Sequence, residues 1–228
     1  MLIAEDLLLL LTDDATGKFA TDSNRLDLGL AGACVIELAM LGRVDVSGEN
    51  EAVKKGRLVM RDDATTDDAL LDEVLRRCAA RAGAVPSKVL GKLGKDVRSQ
   101  LLDRLVDRGI LRRTEGRLLG LFPYSRWPAV DSAHEQQLRA QLESVLLRDA
   151  PPDPRTAALA GLLSALDAAH KVVDAPDRKA VRKRAKEIRE TQWASGAVGK
   201  AVEAVESAVM VTLVAAPVAA SAGGAVGS

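Results

Sequence analysis

The chain is poor in aromatic residues, cysteine and histidine, and it carries no net charge; each scarcity excludes something. Aromatics make up 2% of 228 residues, so the core has to be built from Leu, Val and Ala, which suit helices packed closely on helices. Cys34 and Cys78 show neither metal-type spacing nor a disulfide framework. Both are expected to be reduced packing residues, in keeping with a reducing cytosol. The 32 basic and 32 acidic residues cancel, which argues against a protein that coats nucleic acid non-specifically but leaves room for a local basic patch. No run reaches the roughly 20 apolar residues that a membrane-spanning helix requires; the nearest, Ala208–Ala220, is broken by Pro217. Leu7–Leu11 is too short for a signal core and follows the acidic Glu5 and Asp6, so no targeting segment is expected.

The motifs of catalysis are missing as well. There is no G-x-x-x-x-G-K-[ST], G-x-G-x-x-G, H-E-x-x-H or G-x-S-x-G. His134 and His170 have no cysteine or carboxylate cluster at ligand spacing. The reading is therefore of a non-enzyme, with no catalytic residue, no metal and no cofactor. The acidic crowd at Asp62, Asp63, Asp67, Asp68, Asp72 and Glu73 reads as helix N-terminal acid that favours the macrodipole. Glu37 lies within the most apolar helix and is expected to pair with a core arginine, because a buried carboxylate needs a partner or a shifted pKa.

What is present is a succession of helical patterns. They run over 2–12, 26–42, 70–82, 87–108, 131–148, 155–173, 177–193 and 196–214, with Thr66 as the expected N-cap of the third. An interruption is expected at Gly91 and Gly94, and hairpins over 43–60 and 110–122, the second ended by Pro123 and Pro128. The fold expected is mainly α with short β-hairpins, in one domain over residues 1–216, followed by a flexible small-residue tail over 217–228.

Three features go beyond packing. Lys88, Lys92, Lys95 and Arg98 recur at three or four residues, so a continuous helix would gather them on one stripe; beside Gly91 and Gly94 they would suit a phosphate, though a solvated helix face explains the same spacing. Arg178, Lys179, Arg182, Lys183, Arg184, Lys186 and Arg189 form a second basic run, fit for an anionic surface or for solvent. In the second hairpin Leu118, Leu119, Leu121 and Phe122 are almost continuously apolar, which marks a strand buried on both faces or exposed for a purpose.

Four segments in order then resemble the Golgi phosphoprotein 3 (GPP34) family. They are Glu5-Asp6-Leu7-Leu8-Leu9-Leu10; Gly29-Leu30-x-Gly32 through Ile36-Glu37-Leu38-Ala39 to Gly42-Arg43; Asp63-Ala64-Thr65 leading to Leu70-Leu71-Asp72-Glu73; and Val97-Arg98 through Leu105-Val106-Asp107-Arg108-Gly109-Ile110-Leu111 with the hairpin and Pro128. The resemblance covers roughly residues 1–210 and, with the Ala, Arg and Gly bias, points to a bacterial member. It implies a single helical-bundle domain surrounded by amphipathic helices, and a cytoplasmic, peripherally membrane-associated protein that binds phosphatidylinositol 4-phosphate or a similar anionic headgroup. It implies that Arg98 and Lys95 form the headgroup site, to which the basic stripe adds Lys92, and that Leu118, Leu119, Leu121 and Phe122 insert into the bilayer or join subunits in a homo-oligomer. The family also uses an Arg in the second motif and a Trp before it; here those positions hold Ala31 and, near Asp22, no aromatic. A different anionic headgroup is therefore among the expectations. The alternatives from other classes are a winged-helix-like DNA-binding protein using Arg112, Arg113 and Arg117, and a soluble adaptor with the hairpin as subunit contact. Asp96, Asp103 and Asp107 on the preceding helix speak against the first, so no nucleic acid partner is expected.

Overall fold

Helices α1 (Ile3–Leu10) and α2 (Ser23–Met40) carry apolar side chains on more than one face, and the fold meets that by surrounding them. All eight residues of α1 are buried, and α2 is buried from Leu26 through Ile36. The computed structural model describes residues 1–118, 122–192, 199–204 and 207. The architecture is mainly α with two small antiparallel hairpins. Helix α2 starts three residues before its apolar run because Asp22 caps it, accepting a hydrogen bond from the Arg25 amide at 3.0 Å. It ends at Met40 because Gly42 takes a left-handed φ of +71°.

The first hairpin pairs β1 (Val44–Val46) with β2 (Leu58–Met60). Helix α3 (Ala69–Ala79) is capped by Asp68, not by the expected Thr66; the Asp68 carboxylate accepts from the Leu70 and Leu71 amides, while Thr66 bonds to Asp72. Helix α4 (Pro86–Asp107) starts on a proline, whose missing N–H costs nothing at the first turn, and runs unbroken for 22 residues through Gly91 and Gly94. The interruption expected there is absent, since an isolated glycine costs a helix only about 1 kcal/mol.

The second hairpin sits four residues later than expected. Strand β3 (Thr114–Leu118) pairs with β4 (Phe122–Arg126), and Pro123 lies inside β4 opposite Arg117. Each strand of a two-stranded ribbon has an open edge, where proline is tolerated. The ribbon's base closes through the Leu111–Ala129 bridge and the Arg112 amide donating to Pro128 O. The Phe19 ring stacks on Trp127 beneath it, with centroids 5.4 Å apart. Leu119 and Leu121 of the apolar tip lie outside the described residues; Leu118 and Phe122 are placed by their backbones as facing positions of the register.

Helix α5 (Ala133–Leu147) follows, and then α6 (Pro154–Ala165) and α7 (Ala169–Val172), where one helix was expected over 155–173. The break is at Asp167, whose φ of +51° turns the chain. Helix α8 (Arg178–Gln192) packs on α6, and residues 199–204 are helical. The tail over 217–228 lies outside the described residues. No helix among the described residues is long and apolar enough to cross a membrane. Cys34 and Cys78 are both buried free thiols, and burial pushes the Cys78 thiol up to about 12, so neither supplies a thiolate.

Candidate functional site

Helices α2 and α4 cross at Gly94. A Cβ there would lie 2.6 Å from the Asp27 carbonyl oxygen, so the two backbones touch where glycine alone fits. One turn further along α4, the Arg98 Nε lies 3.2 Å from the Asp27 carboxylate. Asp27 is 7% exposed, and the Arg98 side chain is 23% exposed. Among the described residues the two Nη atoms of Arg98 make no hydrogen bond. A guanidinium is a planar fork of five donors, so the ion pair with Asp27 orients Arg98 and leaves part of the fork for another oxyanion.

The other expected headgroup residues lie on the same helix. Lys92 is exposed and, among the described residues, has no ion pair. Six residues separate it from Arg98, which places the two about 120° apart around the helix. Lys95 is helical, and its side chain lies outside the description. Gly91 faces open space, whereas Gly94, read from sequence as giving a ligand access to backbone, is taken up by helix packing. Ala31 is fully buried, and Asp22 is spent on capping α2 and on an ion pair with Arg25 at 3.2 Å. Asp27 escaped the sequence reading. Its signal was a carboxylate between Leu26 and Leu28 at the start of an apolar helix.

Most other arginines near the core are fully spent. Glu5 and Asp6, both buried, are met by arginines from three directions. Arg104 and Arg108 reach Glu5 at 3.2 and 2.9 Å, and Arg104 also holds Asp68 at 2.6 Å. Arg155 bridges Asp6 at 2.8 Å and Glu37 at 3.3 Å and donates to Met1 O, and His134 closes on Asp6 at 2.8 Å. Glu37 thus has the core arginine expected for it. This network joins α1, α2, α4, α5 and α6. It is a structural device, since every charge in it answers another.

Nearby, Glu135 is buried against Arg139 and the Asp14 carboxylate; burial, then Asp14, push its pKa up to about 7. No group of three or more candidate metal ligands occurs among the described residues. On α8, Val181, Ala185 and Ile188 are buried, so most of the second basic run lies on the outer face of a packed helix, while Arg189 is nearly buried.

These features define a class: a mainly helical protein, with two small hairpins and a guanidinium held half-engaged at a helix crossing. The family model for Golgi phosphoprotein 3 (GPP34) matches residues 3–205, and the chain belongs to that family. It is similar to vacuolar protein sorting-associated protein 74 of Eremothecium gossypii, at 27% identity over 167 residues. That match covers 64% of this chain and 49% of the relative, so the chain spans about half the length of that curated relative.

Proposed function

We propose that this chain is a non-enzymatic peripheral membrane protein that binds anionic phospholipid headgroups, phosphatidylinositol 4-phosphate or a related phosphoinositide, on the cytoplasmic side of a bacterial membrane. The observation that carries the reading is Arg98: paired with the buried Asp27 carboxylate, its Nε 3.2 Å away, with both Nη atoms unspent among the described residues. A phosphate presents matching acceptors, and a bidentate contact to a preoriented fork loses little entropy on binding. Lys95, one turn back, and Lys92 add charge. Membership of a family named for a Golgi phosphoprotein, and likeness to a protein named for vacuolar sorting, support a role at membranes. Asp27 subtracts from the local positive charge, so the headgroup contact is weak alone. The apolar hairpin supplies the second anchor, by insertion or by joining copies of the chain. Burying its four apolar side chains is worth on the order of 6–10 kcal/mol before ordering costs, and stable anchoring takes two signals.

The test is co-sedimentation of the full chain with neutral, general anionic and phosphoinositide vesicles at two salt concentrations, beside Lys95→Glu, Arg98→Glu. Salt-sensitive binding to the charged vesicles, lost in the variant, is expected. Wild-type protein that stays in the supernatant with every vesicle would overturn the reading.

A further inference from the structure

The basic run on α8 borders a cleft that the headgroup reading does not use. Ser164 and Asp167, at the carboxyl end of α6, face Arg182, Lys186, Arg189 and Glu190 of α8 across a cavity of about 340 Å³. The three cations fall at i, i+4 and i+7, one stripe of the helix. Helix α8 carries seven basic residues against two acidic ones, in a chain with no net charge, so the cleft sits in a concentrated positive field.

The cleft is built around Arg182. Its Nε donates to the Asp167 carboxylate at 2.9 Å, and its Nη2 lies 3.2 Å from Nε2 of His170. A guanidinium can only donate, so His170 Nε2 is the acceptor and the ring proton sits on Nδ1. His170 is buried, and burial, then Arg182, hold its pKa below the ordinary value, which keeps that acceptor available. Two acceptors from the α6–α7 elbow thus fix the plane of Arg182, while Nη1 remains for a ligand. Lys186 is 61% exposed, and its one described contact is Glu190 at 3.7 Å, beyond a hydrogen bond. Arg189 stands at the same 3.7 Å from Glu190 and is nearly buried. Asp167 and the carboxyl end of α6 oppose an anion. Against these and Glu190 stand Arg182, Lys186 and Arg189, on a helix that carries seven basic residues to two acidic ones.

We infer that this cleft is a second anion site, distinct from Arg98, that takes a phosphate group between Arg182, Lys186 and Arg189, with the Ser164 hydroxyl as a further donor. The cavity is large enough for a phosphate with a small organic group attached, so the phosphate arrives free in solution or on a lipid headgroup.

The experiment is a titration of the ¹⁵N-labelled full chain with inorganic phosphate, for the wild type, Lys186→Glu and Arg98→Glu. Parallel sedimentation uses phosphatidylcholine vesicles with and without phosphatidic acid. Amide shifts at Ser164, Asp167 and Arg182 that Lys186→Glu weakens about tenfold or more and Arg98→Glu leaves in place are the expected result. Lys186 is 61% exposed and its described ion pair with Glu190 is long, so its loss does not threaten folding; Arg182→Lys, which keeps the charge but loses the fork, is expected to weaken binding as well. With Arg98→Glu as background, loss of phosphatidic acid vesicle binding on adding Lys186→Glu assigns the site to a headgroup. Phosphate shifts without that loss assign it to free phosphate. Shifts that are absent from the wild type, unchanged in Lys186→Glu, or abolished by Arg98→Glu would overturn the inference.

Discussion

The arginines around α1 and those at the α2–α4 crossing and on α8 are the same side chain put to opposite use. Arg104 and Arg155 each hold two carboxylates, and Glu5 and Asp6 are shut off from solvent. Arg98 and Arg182 each meet a single carboxylate, Arg98 through Nε and Arg182 through Nε and, at 3.5 Å, Nη2. Lys186 meets one only at long range. A buried charge must be fully answered, because an unpaired ion in a low-dielectric interior costs several kcal/mol. Arg98 and Arg182 differ from Arg104 and Arg155 in keeping guanidinium donors that no described side chain takes, and only such donors can exchange water for a ligand. Saturation thus separates arginines that hold the fold together from arginines that can bind.

The sharpest way to break this comparison is to remove a saturated arginine. Arg155→Met leaves Asp6 with His134 alone and Glu37 without its arginine. A loss of about 3–5 kcal/mol is expected. In a chain of this size that is a fall in Tm of about 10 °C, read by thermal denaturation. A loss below about 1 kcal/mol would show that the α1 network is not the structural centre.

Glu135 is a buried carboxylate that pairs with Arg139 and faces a second carboxylate, Asp14. Its folded pKa of about 7 lies above the ordinary 4.5. The folded state therefore binds the extra proton, and its contribution to stability, full below about 4.5, is lost as pH rises through 7. The wild type is expected to lose about 2–3 kcal/mol between pH 5 and pH 8 that Glu135→Gln retains, measured by urea denaturation at both values. Identical pH profiles would place the saturated region's weak point elsewhere.

Two glycines on one helix sharpen the comparison at the candidate site. At Gly94 an added methyl meets the Asp27 backbone, which cannot swing aside, whereas at Gly91 it meets open space. Gly94→Ala is expected to cost about 1–3 kcal/mol and to weaken vesicle binding by shifting Arg98 from Asp27. Gly91→Ala is expected to stabilise by about 0.5–1 kcal/mol through helix propensity and to leave binding alone. Chemical denaturation with vesicle sedimentation separates the two.

The same glycines show how far the sequence could be read. The helical class, the two hairpins and the family were legible because apolar periodicity and ordered motifs are local properties. The Glu37 partner was legible as a need, although nothing local named Arg155, 118 residues away. Asp68 displaced Thr66 as a cap because a carboxylate accepts two amides there and pairs with Arg104 as well. Asp27 and the His170–Arg182–Asp167 arrangement were not legible. Each depends on which helix faces which, and an isolated carboxylate or histidine in a helical pattern says nothing of that. The break at Asp167 escaped for a related reason: a non-glycine residue with positive φ has no strong sequence signature.

The smallest effect is the most discriminating. Lys186→Ala removes a cation that no described carboxylate holds at hydrogen-bond distance and that lies on the outer face of a helix seated by Val181, Ala185 and Ile188. Its stability is expected to match the wild type within about 0.5 kcal/mol by urea denaturation, while phosphate binding falls. A change larger than that would mean Lys186 already has a structural partner. The distinction between saturated and available cations would then fail on α8. A silent stability effect with weakened binding would show that a charge can be spared by the fold because it is reserved for a ligand.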